Sequence, residues 1–311
     1  MHCNTGLIGP TFVTGLILGF LYALIALGYT MVYGVLKLIN FAHDAVFTIG
    51  AVAVFYAFGT WLGLNSPAAG AVLIMIIVGA LLAGGVASAA GAAGLQRLAY
   101  KPLRKRHAAR LSYLISAIGA SFFVTYLLEQ NFLLGPGQPA FPNFMTSTKA
   151  FGLFGSNVTN IGVLIAVTAV VCLVALDRII NQTNTGRSIR ALSEDVVAAQ
   201  LMGVNVDRVI MLTFIIGGFF GGVAGTLYAL QFGFVVFNMG FLPGIKAFTA
   251  AVLGGIGNIR GAMLGGILLG LIENMSVTCV GNEWRDAVAF VILVIVLIFK
   301  PTGLLGERIG G

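Results

Sequence analysis

Charge is scarce in this chain. Charged residues make up 9% of the 311 and apolar residues 59%, with a mean hydropathy of +1.01. A soluble domain carries about 25% charge, so a water-soluble globule is excluded and an integral membrane protein is indicated. Cysteine is nearly absent. Cys3, Cys172 and Cys279 form an odd set with no metal or redox spacing and imply no disulfide framework. Catalytic signatures are also missing: there is no GxxxxGK[ST] phosphate loop, HExxH pair, GxSxG elbow or CxxC. His2, His43 and His107 are scattered along the chain. ATP-driven work would therefore need hydrolysis on another polypeptide. No Lys or Arg precedes Lys37, so the first apolar run lacks the basic leader of a cleaved signal peptide and is expected to stay as a span.

What is present is hydrocarbon in long runs. Runs of bilayer length, roughly 17–25 residues as helix, fall at 10–35, 41–62, 68–95, 111–134, 158–177, 208–231, 241–257, 262–280 and 285–300. The runs at 41–62 and 241–257 are the weakest, being Gly/Ala-rich with polar interruptions, and suit broken or re-entrant segments. The 43 glycines suit close helix contact in lipid. This predicts an all-α polytopic transmembrane bundle of eight to nine spans, one permease-like domain over 1–311.

The net charge of +7 suggests nucleic acid, but the charges sit at span edges and form no basic face. Their bias instead orients the chain. With the N-terminus outside, all the Lys and Arg except Lys149, Lys246 and Arg285 fall on the inner side. N-out, C-in is expected. The basic connector 96–110 is then cytoplasmic, near anionic headgroups, and the Pro-rich loop 135–159 external.

The segment 184–208 is an island of charge between two spans. Ile189, Leu192, Val196 and Ala199 recur at three- and four-residue steps, predicting a short amphipathic helix over 188–202. Gly203 ends it as a left-handed cap, and Asn205 or Asp207 caps the next helix. A polar helix held between spans reads as a docking element, against the simpler reading of a solvated loop.

Polar residues inside spans are the other candidates, because lipid penalises them. Asn40, His43 and Asp44 cluster in LINFAHDAVFTIGA, as a pathway site or as a capping element at a helix start. Glu273 with Asn274, in GLIENM, needs a partner or a wet cavity. Lys246 is either an outer-interface snorkeller or a pathway residue. Glu129 lies near the outer end of its span, and Tyr22, Tyr29 and Tyr33 share a face that reads as core packing.

Several of these segments together resemble one family, the inner-membrane permeases of branched-chain amino acid ABC importers. The carrying stretches are GFLYALIALGYTMVYGVLKLINFAH (19–43), RLAYKPLR (97–104), LISAIG (114–119), TGRSIRALSEDVVAAQLMGVNVDRVIMLTFIIG (185–217), GIKAFTAAVLGGIGNIRGAMLGG (244–266) and KPTGLLG (300–306). The match is closer to the shorter, first-type permease. It implies a second related permease as heterodimer partner, two cytoplasmic ATPases carrying ATP and Mg, and a periplasmic protein delivering leucine, isoleucine or valine. The chain itself would bind no cofactor, no metal and no nucleic acid, and would lie in a bacterial inner membrane. The resemblance puts Gly186, Arg187, Arg190, Ala191, Glu194, Asp195, Ala198, Ala199 and Gly203 against the ATPase. Ala198, Ala199 and Gly203 are similar to the EAA loop of such importers, with Val197 in the Glu position. After NFAH the family commonly has Gly and then an acid. Here the acid is Asp44, one position early.

The reading is a non-catalytic permease working by alternating access. Asn40, His43, Asp44, Lys246, Glu273 and Asn274 are its pathway candidates. Urea, short-chain amides or other amino acids are the alternative solutes. An ion-coupled secondary transporter or channel is the alternative class.

Overall fold

The computed structural model describes residues 6, 8–106, 108–153, 155–300 and 302–306; His2, Cys3, His107 and Arg308 lie outside them. The membrane part is all-helical, as the composition requires. Its elements are α1 (Ile8–Leu36), α2 (His43–Val54), α3 (Gly70–Leu95), α4 (Lys101–Lys105), α5 (Arg110–Leu128), α6 (Asn160–Gln182), α7 (Asn184–Glu194), α8 (Val196–Leu201), α9 (Val206–Phe232), α10 (Phe241–Gly254), α11 (Ile259–Val280) and α12 (Arg285–Phe299). α2 runs on through a π-helical turn to Trp61, and α3 through another to α4. A short antiparallel hairpin pairs β1 (Lys149–Leu153) with β2 (Ser156–Thr159), and an isolated antiparallel bridge joins Ala140 to Phe234.

Seven of these helices among the described residues are long and apolar enough to cross a membrane. The weak run 41–62 is one of them, as a 19-residue helix from His43 to Trp61. The other weak run is shorter. α10 has 14 residues and α12 has 15, about 21–22 Å of helix, less than the ~30 Å of hydrocarbon. For α10 the missing depth is supplied by non-helical chain. Val235 N donates to Pro139 O at one end of the bundle, and Gly240 N donates to Thr48 Oγ1 (3.2 Å) well inside it.

α2 starts inside the bundle for a related reason. After α1 the chain reverses at Lys37, the one described non-glycine residue with positive φ (52°), and climbs back until His43 meets Tyr29, ring centroids 4.7 Å apart. Two broken helices, α2 and α10, therefore begin at the same place. Backbone that is not helical at this depth is tolerated because protein surrounds it.

α1 and α9 form the centre, with 67% and 72% of their apolar windows buried, against 11% for α5. Glycine permits this packing. A Cβ on Gly19 would sit 2.8 Å from Ile267 Cα, so α1 and α11 touch backbone to backbone. One end of the bundle gathers the charged pairs. Asp207 at the start of α9 meets Lys101 (3.4 Å) and Arg104 of α4, and Arg260 of α11 meets Asp177 of α6 (3.1 Å). Leu304 N and Leu305 N donate to Leu253 O and Gly254 O there, closing the chain against α10. The loop 135–159 caps the other end, burying Phe141, Phe144, Met145 and Val158. Cys172 is a free buried thiol, while Cys279 is disulfide-bonded, against the expectation of no disulfide.

Candidate functional site

The expected helix over 188–202 is two helices. Asp195 breaks it with an extended backbone (φ −146°, ψ 120°), because its carboxylate accepts from the first amides of α8, Val197 N (2.7 Å) and Ala198 N (3.0 Å). That cap satisfies N–H groups that continuous helix would have bonded internally. The other local expectations hold. Gly203 is left-handed (φ 82°), and Asn205 rather than Asp207 caps α9, accepting from Arg208 N (3.0 Å).

α7 is pinned to the end of α6. Thr183 caps it through Gly186 N (3.1 Å), and a Cβ on Gly186 would strike the carbonyls of Ile179 and Ile180. Arg190 donates to Ile180 O and to Asn181 Oδ1. Of the nine residues expected to face an ATPase, Gly186 and Ala199 are buried beneath the platform. Arg187, Arg190, Ala191, Glu194, Asp195, Ala198 and Gly203 are exposed on it. So are the apolar Val197, Leu201 and Met202, the last two more than four-fifths exposed. The platform stands at the charged end of the bundle.

The six intramembrane candidates separate into three environments. Asn40 is structural: its Oδ1 accepts from Ala42 N (3.2 Å) and from Tyr100 OH (3.0 Å), tying the start of α2 to the turn after α3. His43 is wedged between helices. A Cβ on Gly28 of α1 would overlap its ring, and one on Gly221 of α9 would lie 3.0 Å from its Cε1. Its Nε2 has no hydrogen-bond partner among the described residues.

Lys246, Glu273 and Asn274 come together, joined by two residues that sequence reading used only for topology or not at all. Lys246 Nζ lies 2.7 Å from Glu273 Oε1 and 2.6 Å from Asp286 Oδ1. Arg285 Nη2 donates to Asn274 Oδ1 (2.8 Å), and its Nε lies 2.7 Å from Glu273 Oε1. That last contact misses hydrogen-bonding alignment, since Arg285 Nε has no hydrogen-bond partner, so it is coulombic in character. Tyr22 OH donates to the same Glu273 oxygen (3.3 Å). Two cations and two anions thus neutralise one another across α10, α11 and α12, with Tyr22 of α1 as a neutral donor. Lys246 is buried in this cluster and does not snorkel. The signal available in sequence was the adjacent Arg285–Asp286 pair opening an apolar run.

Asp44, unlike the other five candidates, borders a cavity. The cavity, about 610 Å³, lies where α2 and α10 begin and is closed on one side by α5. Its polar wall carries Asp44, Thr48, Ser121, Thr125, Asn238 and Glu129. The remainder is aromatic or aliphatic, including Tyr29, Phe41, Phe122, Phe237 and Phe241. Volume and mixed lining are those of a small-molecule site. Ser121 Oγ lies 2.8 and 3.0 Å from the two carboxylate oxygens of Asp44. Ala45 borders the same cavity, so an acid at either position stands on its wall, and the shift by one residue keeps the carboxylate there. Ser121 and Thr48 carried no sequence signal as site residues, because the walls are far apart in the chain, and Tyr29, read as core packing rather than as part of a substrate cage, borders the cavity. None of Asn40, His43, Lys246, Glu273 and Asn274 borders this cavity.

Comparison with known proteins now bears on this geometry. Residues 11–297 match the family described as the branched-chain amino acid transport system permease component. The chain is 40% identical over 302 residues to the high-affinity branched-chain amino acid transport system permease protein BraD of Pseudomonas aeruginosa, covering 95% of this chain and 94% of that one. It is also 40% identical to the corresponding protein LivH of Escherichia coli K12, over 94% of each chain. A probable LivH of Methanocaldococcus jannaschii is 28% identical over 92% of this chain and 89% of that one. The protein is a multi-pass, non-catalytic membrane component, and it belongs to the family of branched-chain amino acid transport permeases.

Proposed function

We propose that this chain is the first-type permease of an ATP-driven importer that carries leucine, isoleucine and valine across a bacterial inner membrane, N-terminus outside and C-terminus inside. A second, related permease completes the path as heterodimer partner. Two cytoplasmic ATPases supply the energy, with ATP and Mg bound on them, and a periplasmic solute-binding protein delivers the amino acid. The observation that carries this reading is an exposed platform and, apart from it, a cavity of mixed polarity within one family-matched bundle: α7 and α8 present polar and apolar side chains at the end where Lys101, Arg104, Arg187, Arg190 and Arg260 gather.

That end suits the cytoplasm by its positive charge. An ATPase gripping α7–α8 would act on α6 through Gly186 and Arg190, and on α9 through the Gly203–Asn205 turn. The ties Asp207–Lys101/Arg104 and Asp177–Arg260 would spread the movement to α4 and α11. The broken helices α2 and α10 then change the access of the cavity beside them.

The test is uptake of labelled leucine by proteoliposomes holding this permease, its cognate partner permease and ATPases, with binding protein outside and ATP inside. Accumulation that needs all components is expected. Uphill leucine transport by this chain alone, driven by a proton or sodium gradient, overturns the reading. Uptake of urea or a short-chain amide with no leucine uptake changes the solute but keeps the mechanism.

A further inference from the structure

We infer that Asp44 is the seat for the ammonium group of the transported solute, and that Ser121 on α5 holds its carboxylate in place. This rests on the amino-acid import reading above.

The argument begins with an imbalance. Asp44 is 9% exposed, and among the described residues no Lys, Arg or His makes an ion pair with it. Its carboxylate is met by neutral groups, Ser121 Oγ and the backbone amides of Asp44 and Ala45 (2.6 Å to the latter) in the first turn of α2. The same bundle neutralises its other buried acid fully: Glu273 has Lys246 and Arg285 within 2.7 Å. A buried carboxylate without a counter-charge is costly. Keeping one on a cavity wall makes that cavity favour a cation brought from outside.

The surroundings select the kind of cation. Among the described residues no three His, Cys, Asp or Glu side chains converge as a metal site. At the Asp44 carboxylate itself one side-chain hydroxyl, Ser121, is in contact among the described residues, short of the six to eight oxygens that Ca²⁺ takes, and the second carboxylate on the wall, Glu129, makes no hydrogen bond with it. An ammonium needs less. Its N–H donors would be met by the Asp44 carboxylate and Ser121, with the aromatic side chains of Tyr29 and Phe41 bordering the same space. Phe122, Phe237 and Ile245 supply apolar wall for an aliphatic side chain. The amino end of α10 also borders the cavity, through Asn238 and Phe241, and its first turn packs on Asp44: a Cβ on Gly244 would lie 3.0 Å from Asp44 Cβ. The positive end of that helix suits the solute's own carboxylate. The cavity thus offers opposite polarities a few ångströms apart, the pattern of a zwitterion.

The test uses the assembled permease–ATPase complex, without binding protein, in two readouts. In thermal shift, 3-methylbutylamine (ammonium, no carboxylate) is expected to protect the wild-type complex, whereas 4-methylpentanoate (carboxylate, no ammonium) protects less. Equal protection by the two, or none by the amine, overturns the assignment without any variant. In proteoliposomes with binding protein added, Asp44→Asn is expected to lower leucine uptake by about tenfold or more, the scale of a lost charge-assisted contact, with Asp44→Glu retaining part of it. Wild-type uptake by Asp44→Asn also overturns the assignment while leaving the import reading intact. If the wild-type complex takes up no leucine and the amine still protects it but not Asp44→Asn, the import reading falls and the ammonium site stands.

Discussion

Glu273→Gln isolates the energetics of the buried charge cluster. In the native protein Glu273 is fully buried and its Oε1 lies 2.7 Å from both Lys246 Nζ and Arg285 Nε. Glutamine keeps the volume and removes the charge. Lys246 then retains Asp286 at 2.6 Å, and Arg285 retains only Asn274 at 2.8 Å, so the cluster passes from neutral to one net positive charge in a poorly hydrated place. Removing one member of a buried pair costs about 3–5 kcal/mol. The lower end applies here, because the Asp286 side chain is half exposed and the Arg285 side chain a quarter exposed, and water screens both. At about 2–4 °C per kcal/mol, the midpoint of thermal unfolding should fall by roughly 6–12 °C. The double change Lys246→Met with Glu273→Leu removes both central charges and leaves one charge of each sign, Arg285 and Asp286, at the partly hydrated rim. It should come within about 1–2 kcal/mol of wild type, since well-packed apolar replacements of buried pairs are often neutral. The assay is thermal unfolding of the detergent-solubilised complex for wild type, Glu273→Gln and the double change. If Glu273→Gln melts with wild type, or the double melts lowest of all, the cluster is not held by mutual neutralisation.

Asp195→Ala removes the cap that separates α7 from α8. Hydrogen exchange over 196–201 should speed up by a factor matching about 1 kcal/mol, and ATPase assembly should weaken, as read by co-purification. Charge reversal at the exposed Arg187 or Glu194 should impair assembly or coupled uptake, with the complex-free permease melting as wild type; normal uptake in both would count against the docking role. Gly270→Leu should force α1 and α11 apart, since even a Cβ there would overlap Gly19. A loss of about 1–3 kcal/mol or more is expected, read as a lower unfolding midpoint. Asp207→Asn, in contrast, breaks surface pairs whose side chains are 27–49% exposed, so it should cost no more than about 1 kcal/mol in thermal unfolding.

The amino-acid sequence by itself determined that the chain lives in lipid, because 9% charge cannot cover a water-facing surface. It located most of the spans, since each is a contiguous apolar stretch whose length answers to bilayer thickness; of the two runs it marked as weak, 241–257 became the 14-residue α10 but 41–62 is a 19-residue helix of span length, and 285–300, not marked, became the 15-residue α12. Local chemistry was equally legible: Gly203 and Asn205 act within a turn of their own positions. Asp195 escaped that reading because an acid amid helical periodicity can either continue a helix or cap the next, and only the path of the backbone chooses.

The tertiary structure alone decided what each buried polar residue does. Asn40, His43 and Asp44 lie within five residues, yet one braces Tyr100, one fills a slot between Gly28 and Gly221, and one faces a cavity. Their partners come from helices far away in the chain, and periodicity carries no information about which helix stands opposite. Lys246 and Glu273 meet Asp286 and Arg285 for the same reason. Hydrophobicity is a property of each segment and survives in the sequence, whereas charge pairing is a property of two segments and exists only once they pack.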